Sequence, residues 1–191
     1  VNHGIRQKKV CYIGSVTKAR GIIENVRAAR QAGVILLLAG AYSPPSLRDE
    51  LSRMEEWKGV EEAGFLRRDE VVRVMGQCMA GLVTLHGYQS YKESLPIKMF
   101  EYMAAGLPVI ASRFPLWKNI IENNHCGICV DPDSIEEIAS AIRYLAENPL
   151  KAEDMGSNGR RAFIHQYNWE AEFPGLLRLY QHMSDTNKSP R

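Results

Sequence analysis

Short apolar runs and amphipathic stretches alternate along this chain, and the alternation predicts its elements. KKVCYIG (8–14) reads as a strand. GIIENVRAARQAG (21–33) places Ile22, Ile23, Val26 and Ala29 at helical spacing and closes on Gly33, a C-cap. VILLLAG (34–40) is a continuous apolar run, as expected of a strand covered on both faces. Pro44 and Pro45 introduce a helix that runs to Glu56, GVEEAGF (59–65) reads as a weaker strand, and Asp69 is placed to N-cap a helix over 70–78. AGLVTLH (80–86) is another buried strand. A helix from Ser94 or Leu95 to Ala105 leads into the strand LPVIAS (107–112), then the helix PLWKNIIENN (115–124) and the strand GICV (127–130). Ser134 and Glu137 form a Ser-x-x-Glu capping box that opens a helix over 135–147, with Ile135, Ile138, Ile142 and Leu145 as its buried stripe. Two further helical stretches cover 150–166 and 170–183, and the polar tail SDTNKSPR (184–191) reads as disordered.

This alternation predicts an α/β fold: a Rossmann-like, doubly wound parallel sheet of about six strands, with C-terminal helices. No internal repeat or linker divides the chain, so residues 1–183 are read as one domain. In such sheets a ligand sits outside the carboxyl ends of the strands. The candidate site therefore lies in the loops 14–20, 40–45, 65–68, 86–94, 112–116 and 130–133.

Composition narrows the partners. The net charge of +2 argues against a nucleic-acid surface, which needs a concentrated basic stripe. No apolar run approaches the ~20 residues that span a bilayer. The start VNHGIRQKKV lacks a signal-peptide core, so a cytoplasmic location is expected. Among four cysteines, HCGIC (125–129) has a C-x-x-C spacing. No second close pair completes a zinc set, and Cys129 falls in a strand-like run, so Cys126 and Cys129 are read as packing residues.

The familiar phosphate loops, G-x-G-x-x-G and G-x-x-x-x-G-K-[ST], are absent. The first loop, GSVTKARG (14–21), instead offers Gly14, Ser15, Lys18 and Arg20 at a helix start. It is either an anion cradle or a solvated loop. DPD (131–133) precedes a capping box and reads as a turn rather than a metal motif. The stretch ESLPIKMFEYMAAGLPVIAS (93–112) carries two carboxylates. With Ser94 as cap, Pro96 falls in the first turn, the Leu95 and Ile97 amides face the pocket, and Lys98 follows one turn in. On one helix, Glu93 and Glu101 would stand ~12 Å apart along the axis and ~80° apart around it. That spacing suits the sugar and ribose ends of a nucleoside diphosphate sugar. It equally suits a surface Glu101 paired with Lys98.

Taken whole, E-x7-E followed by M-A-A-G-x-P-V-I-A-S resembles the donor-site signature of retaining GT-B glycosyltransferases of family 4. Leu95, Pro96 and Lys98 ahead of Phe100-Glu101-Tyr102-Met103 look like its bacterial surface-polysaccharide branch. The resemblance runs over residues 8–183, through LLLAG, GFL and GICVDPDS in order. It implies that this chain is the nucleotide-sugar-binding, C-terminal half of a GT-B fold. The acceptor-binding N-terminal half would be absent, and the last helix would pack against it. By position, the resemblance puts Glu93 on the donor sugar at the catalytic centre, as a positioner rather than a base. It puts Glu101 on the ribose hydroxyls, Arg20 on the diphosphate, and Phe65 and Leu66 at the nucleobase with Arg67 beside them. Gly14, Ser94, Leu95 and Ile97 line the site. The family often has Arg where Ser15 stands here, and Lys98 or Lys18 is the expected substitute. The donor is a UDP-, GDP- or other nucleotide sugar, with neither a metal nor a separate cofactor expected. The same resemblance allows peripheral attachment at the inner face of the cell membrane through the missing half, and it leaves the isolated half inactive in transfer. Two other classes stay open: a non-catalytic α/β interaction module, and a nicotinamide- or flavin-dependent enzyme, which the missing Gly-rich fingerprint disfavours.

Overall fold

Six short strands lie side by side, all parallel, in the order β3-β2-β1-β4-β5-β6 in a computed structural model that describes residues 6–186. In chain order the elements begin with β1 (Lys9–Ile13), α1 (Ile22–Gln31), β2 (Ile35–Ala39), α2 (Leu47–Ser52), β3 (Val60–Gly64), α3 (Arg68–Gln77) and β4 (Ala80–Val83). They continue with α4 (Gln89–Lys92), α5 (Ile97–Ala104), β5 (Val109–Ser112), α6 (Pro115–Asn123), β6 (Gly127–Val130), α7 (Ile135–Glu147), α8 (Pro149–His165) and α9 (Trp169–Thr186). This is the Rossmann-like α/β architecture that the alternating pattern predicts.

Helices cover both faces of the sheet, and this explains the unbroken apolar runs. Along β2, Leu36 and Leu38 pack on the α1–α7 side, while Leu37 and Ala39 turn to the opposite layer with Tyr102, Met103 and Trp117. A side chain buried on either face contributes roughly 1.5–3 kcal/mol when it is a Leu, Val or Ile, so neither face tolerates polar alternation. The edge strand β3 is the exception. Its Glu61 and Glu62 are exposed, and charge on an edge discourages pairing with a second sheet.

Several boundaries differ from expectation. The helix expected up to Glu56 is split into α2 and a separate 3-10 turn over Glu55–Gly59. Asp69 does not cap α3: the helix starts at Arg68, and Glu70 accepts the Arg67 N–H at 2.7 Å. Ser134 does cap α7 by accepting the Glu137 N–H at 3.2 Å, but the Glu137 carboxylate turns to the Asp131 N–H and to Arg113 instead of closing the box. Helix α9 continues to Thr186, beyond the expected start of the disordered tail at 184, and the rest of that tail lies outside the described residues.

Candidate functional site

The strand order places a crevice before any side chain is considered. From β1 the chain winds outward to β2 and β3; from β4 it winds the other way, to β5 and β6. The connections after β1 and β4 therefore diverge, and a topological switch point opens between them at the carboxyl edge. Two of the loops singled out in the sequence, 14–20 and 86–94, border this crevice.

The first loop is held tightly. Gly14 adopts φ +133° and donates its N–H to Ala39 O at 2.9 Å. The Ser15 carbonyl accepts from the Tyr12 hydroxyl at 2.7 Å and lies 3.5 Å from Arg20 Nη1. Arg20 is thus drawn over the start of the loop. Lys18 goes elsewhere, forming a 2.6 Å ion pair with Glu50 on α2. Of the two cations expected to stand in at Ser15, the structure brings only Lys98 to this point. A Cβ added to Gly14 would lie 3.3 Å from Lys98 Nζ.

The second loop departs from the single-helix expectation. Glu93 ends the short helix α4, while α5 begins only at Ile97 with Pro96 as its N-cap. Glu93 and Glu101 therefore stand on separate elements, and spacing along one helix axis does not describe them. Ser94 does not cap α5. Its hydroxyl donates back to Tyr91 O at 3.1 Å, and its carbonyl accepts the buried Trp117 indole N–H at 2.6 Å. Proline ends the preceding turn because the residue before it avoids helical dihedrals. The first amides of α5, those of Ile97 and Lys98, have no carbonyl partner within the helix. Glu93 is exposed and accepts from the Gln89 side-chain amide.

Lys98 is the unusual group. Its Nζ is enclosed, has no hydrogen-bond acceptor and lies 3.7 Å from the centre of the Tyr12 ring. Burial, then the charge of Arg20, lowers its pKa to about 7, with Glu101 and Cys11 acting in the opposite direction. One turn on, exposed Glu101 faces a groove of about 510 Å³ between α3 and α5 that Arg68, Val72, Ile97 and Phe100 also line. Phe65 and Arg67 are largely exposed just ahead of α3, with Arg67 within 3.6 Å of Glu70, while Leu66 is half-buried against the core. Leu95 and Ile97 are exposed.

Sequence reading missed His86. It stands just past β4, its Nε2 3.1 Å from Glu24 on α1 and its Nδ1 2.7 Å from Asp133 ahead of α7. Asp133 thus ties the DPD turn to the crevice, while Asp131 accepts the Asp133 N–H at 3.0 Å. No local spacing links residues 24, 86 and 133; the one available signal was a histidine at a strand end within a candidate loop. The cysteine reading fits the geometry. Cys126 is buried before β6 and Cys129 half-buried within it, and burial pushes their thiols up to about 12 and about 11.

Comparison with known proteins adds identity to this geometry. Residues 2–162 match the family described as Glycosyl transferases group 1. The chain is 24% identical over 185 residues to the alpha-maltose-1-phosphate synthase of Mycolicibacterium smegmatis, covering 92% of this chain and 48% of that protein. The fold is similar to the C-terminal domain of a glycosyl transferase group 1 family protein (LpcC) from Francisella tularensis, with TM-score 0.72 and 20% identity over 85% of this chain and 87% of that one. It is also similar to Anabaena Alr3699/HepE in complex with UDP, with TM-score 0.74 and 19% identity over 97% and 50% of the two chains. The chain spans about half the length of the curated relatives it matches. With the family match running through the sheet, both crevice loops and most of α8, the chain belongs to the group 1 glycosyl transferases.

Proposed function

We propose that this chain is the donor half of a retaining, family 4 type glycosyltransferase and binds a nucleoside diphosphate sugar at the β1–β4 switch point. The observation that carries the reading is Lys98: an enclosed amino group without an acceptor, in the first turn of α5 and set against Gly14, with Glu101 one turn further. An anion at this point would meet fixed positive charge and N–H donors together. The UDP held by a protein of the same fold supports the choice of ligand.

In this reading, Lys98, Arg20 and the Ile97 and Lys98 amides hold the diphosphate, with Gly14 and Ser15 supplying close backbone. Lys18, held by Glu50, is not needed. Glu101 accepts from the ribose hydroxyls at the mouth of the α3–α5 groove, and Phe65, Leu66 and Arg67 flank the base. Glu93, Ser94 and Leu95 meet the sugar. Bond cleavage leaves negative charge on the β-phosphate, and the fixed cations and amides stabilise it in place of a metal. Glu93 positions the sugar without removing a proton. The acceptor is held by a second domain, which α9 meets through exposed Leu176, Leu179 and Met183. The chain alone therefore binds the donor without transferring the sugar. Among the described residues no helix is long and apolar enough to cross a membrane, and peripheral attachment at the inner membrane face is assigned in this reading to the second domain.

Calorimetric titration with UDP, GDP and their sugars tests this. One nucleotide series should bind, and Glu101→Ala should weaken it by about 1.5–3 kcal/mol, the usual worth of a hydrogen bond to a charged acceptor. A folded chain that binds none of them would refute the reading.

A further inference from the structure

The protein groups around Lys98 mostly oppose a proton. Its Nζ has lost water and found no acceptor, and a buried ammonium in that condition is unfavourable. It lies at the positive end of α5, and Arg20, from the loop after β1, adds a second cation. From β1, the Tyr12 ring face offers cation–π attraction, and the fully buried Cys11 thiol stays neutral because Cys78 and burial push its pKa well up. On its own helix, Glu101 favours the charge, but from an exposed position. The net effect puts Lys98 near an even balance of ammonium and amine close to neutral pH, at about 7. A diphosphate reverses the balance. It brings negative charge and acceptor oxygens to the face of Gly14, where Nζ already points.

Resting on the donor-site reading above, we propose that nucleoside diphosphate binding is proton-linked: Lys98 takes up a proton from solvent as the diphosphate enters and pairs with it as an ammonium. The flexible lysine stem lets Nζ swing from the Tyr12 ring to the phosphate oxygens. Donor affinity is then set by pH through this one side chain. Tyr12 does not compete, since burial lifts its hydroxyl to about 12.

Titration of the chain with UDP at pH 8, in two buffers of different ionisation heat, reads the proton count directly. More than half a proton should be taken up per UDP, and affinity should fall severalfold between about pH 7.5 and about pH 8.5, above the titration of the UDP phosphate and below that of the uracil N3–H. Lys98→Arg keeps a permanent charge, so it should bind UDP with no proton uptake and a flat pH profile. UDP binding by the wild-type chain without proton uptake would overturn the linkage and leave the donor site standing. Uptake that persists in Lys98→Arg would overturn it too, by assigning the proton elsewhere. Absence of binding by any nucleotide would instead strike at the donor site itself. The two-buffer comparison on the wild-type chain gives the answer even if the variant does not fold.

Discussion

The hydroxyl of Tyr102 accepts a hydrogen bond from the backbone N–H of Ile13 at 3.0 Å, joining α5 to the last residue of β1. Tyr102 lies four residues after Lys98, on the buried side of the helix. The ring also fills the space over Gly81, where an added Cβ would lie 2.3 Å from it. One side chain therefore sets the height of α5 over the strand that delivers Gly14.

Tyr102→Phe should keep the ring packing and leave the Ile13 N–H without its acceptor. The expected loss is about 1–3 kcal/mol, the cost of an unsatisfied buried donor. Urea unfolding followed by circular dichroism measures it. A variant as stable as wild type would mean that this contact does not hold α5 in place.

Trp117 makes the corresponding bond on the far side of the crevice, from α6 to the Ser94 carbonyl, with Phe114 packed on its ring at a centroid distance of 4.7 Å. Trp117→Phe should free the 93–96 turn while largely preserving the core. Amide hydrogen exchange at Ser94, whose N–H donates to Tyr91 O at 3.2 Å, should speed up by about tenfold, the change expected if a hydrogen bond worth about 1.4 kcal/mol is lost. Unchanged exchange there would show that Pro96 alone holds the turn.

These two contacts also mark where sequence reading stops. The sheet was legible because both of its faces are buried: runs such as VILLLAG and LPVIAS have no other stable use. The Ser134 cap was legible because its partner is three residues away. The break between α4 and α5 was not read, although Pro96 is its local cause; that Trp117, 23 residues on, takes the Ser94 carbonyl could not be seen in any local spacing. Likewise Lys18 and Lys98 were equal candidates on paper. Packing separated them, giving Glu50 to the first and the Gly14 face to the second. The Glu24–His86–Asp133 contact joins three elements that only the fold brings together.

Gly40 is where the backbone of β2 comes against the first loop. Its φ is +139°, and an added Cβ would fall 1.9 Å from the Gly14 carbonyl oxygen. Gly40→Ala must displace that loop as well as adopt a strained backbone, so more than about 3 kcal/mol should be lost, or the chain should fail to fold. Gly33→Ala is the control. It shares a positive φ of +67° but has nothing within 4 Å, so about 1 kcal/mol is expected. Equal losses in the two variants, again read by urea unfolding, would show that close approach at Gly40 adds nothing.

Glu62 on β3 makes stability depend on acid. Partial burial works to raise its pKa, but the paired hydrogen bonds from Arg48, both at 2.9 Å, and the 2.7 Å bond from Tyr42 outweigh it and hold the carboxyl below its usual range. A carboxyl with a depressed folded pKa binds fewer protons folded than unfolded. Its stabilisation is therefore present above the unfolded pKa and is lost as pH falls through the folded one. Between about pH 5 and about pH 3 the wild-type chain should lose stability more steeply than Glu62→Gln, whose amide does not titrate. Parallel acid limbs in the urea midpoints of the two proteins would mean that the Arg48–Glu62–Tyr42 cluster makes no net contribution, as exposed ion pairs often do not.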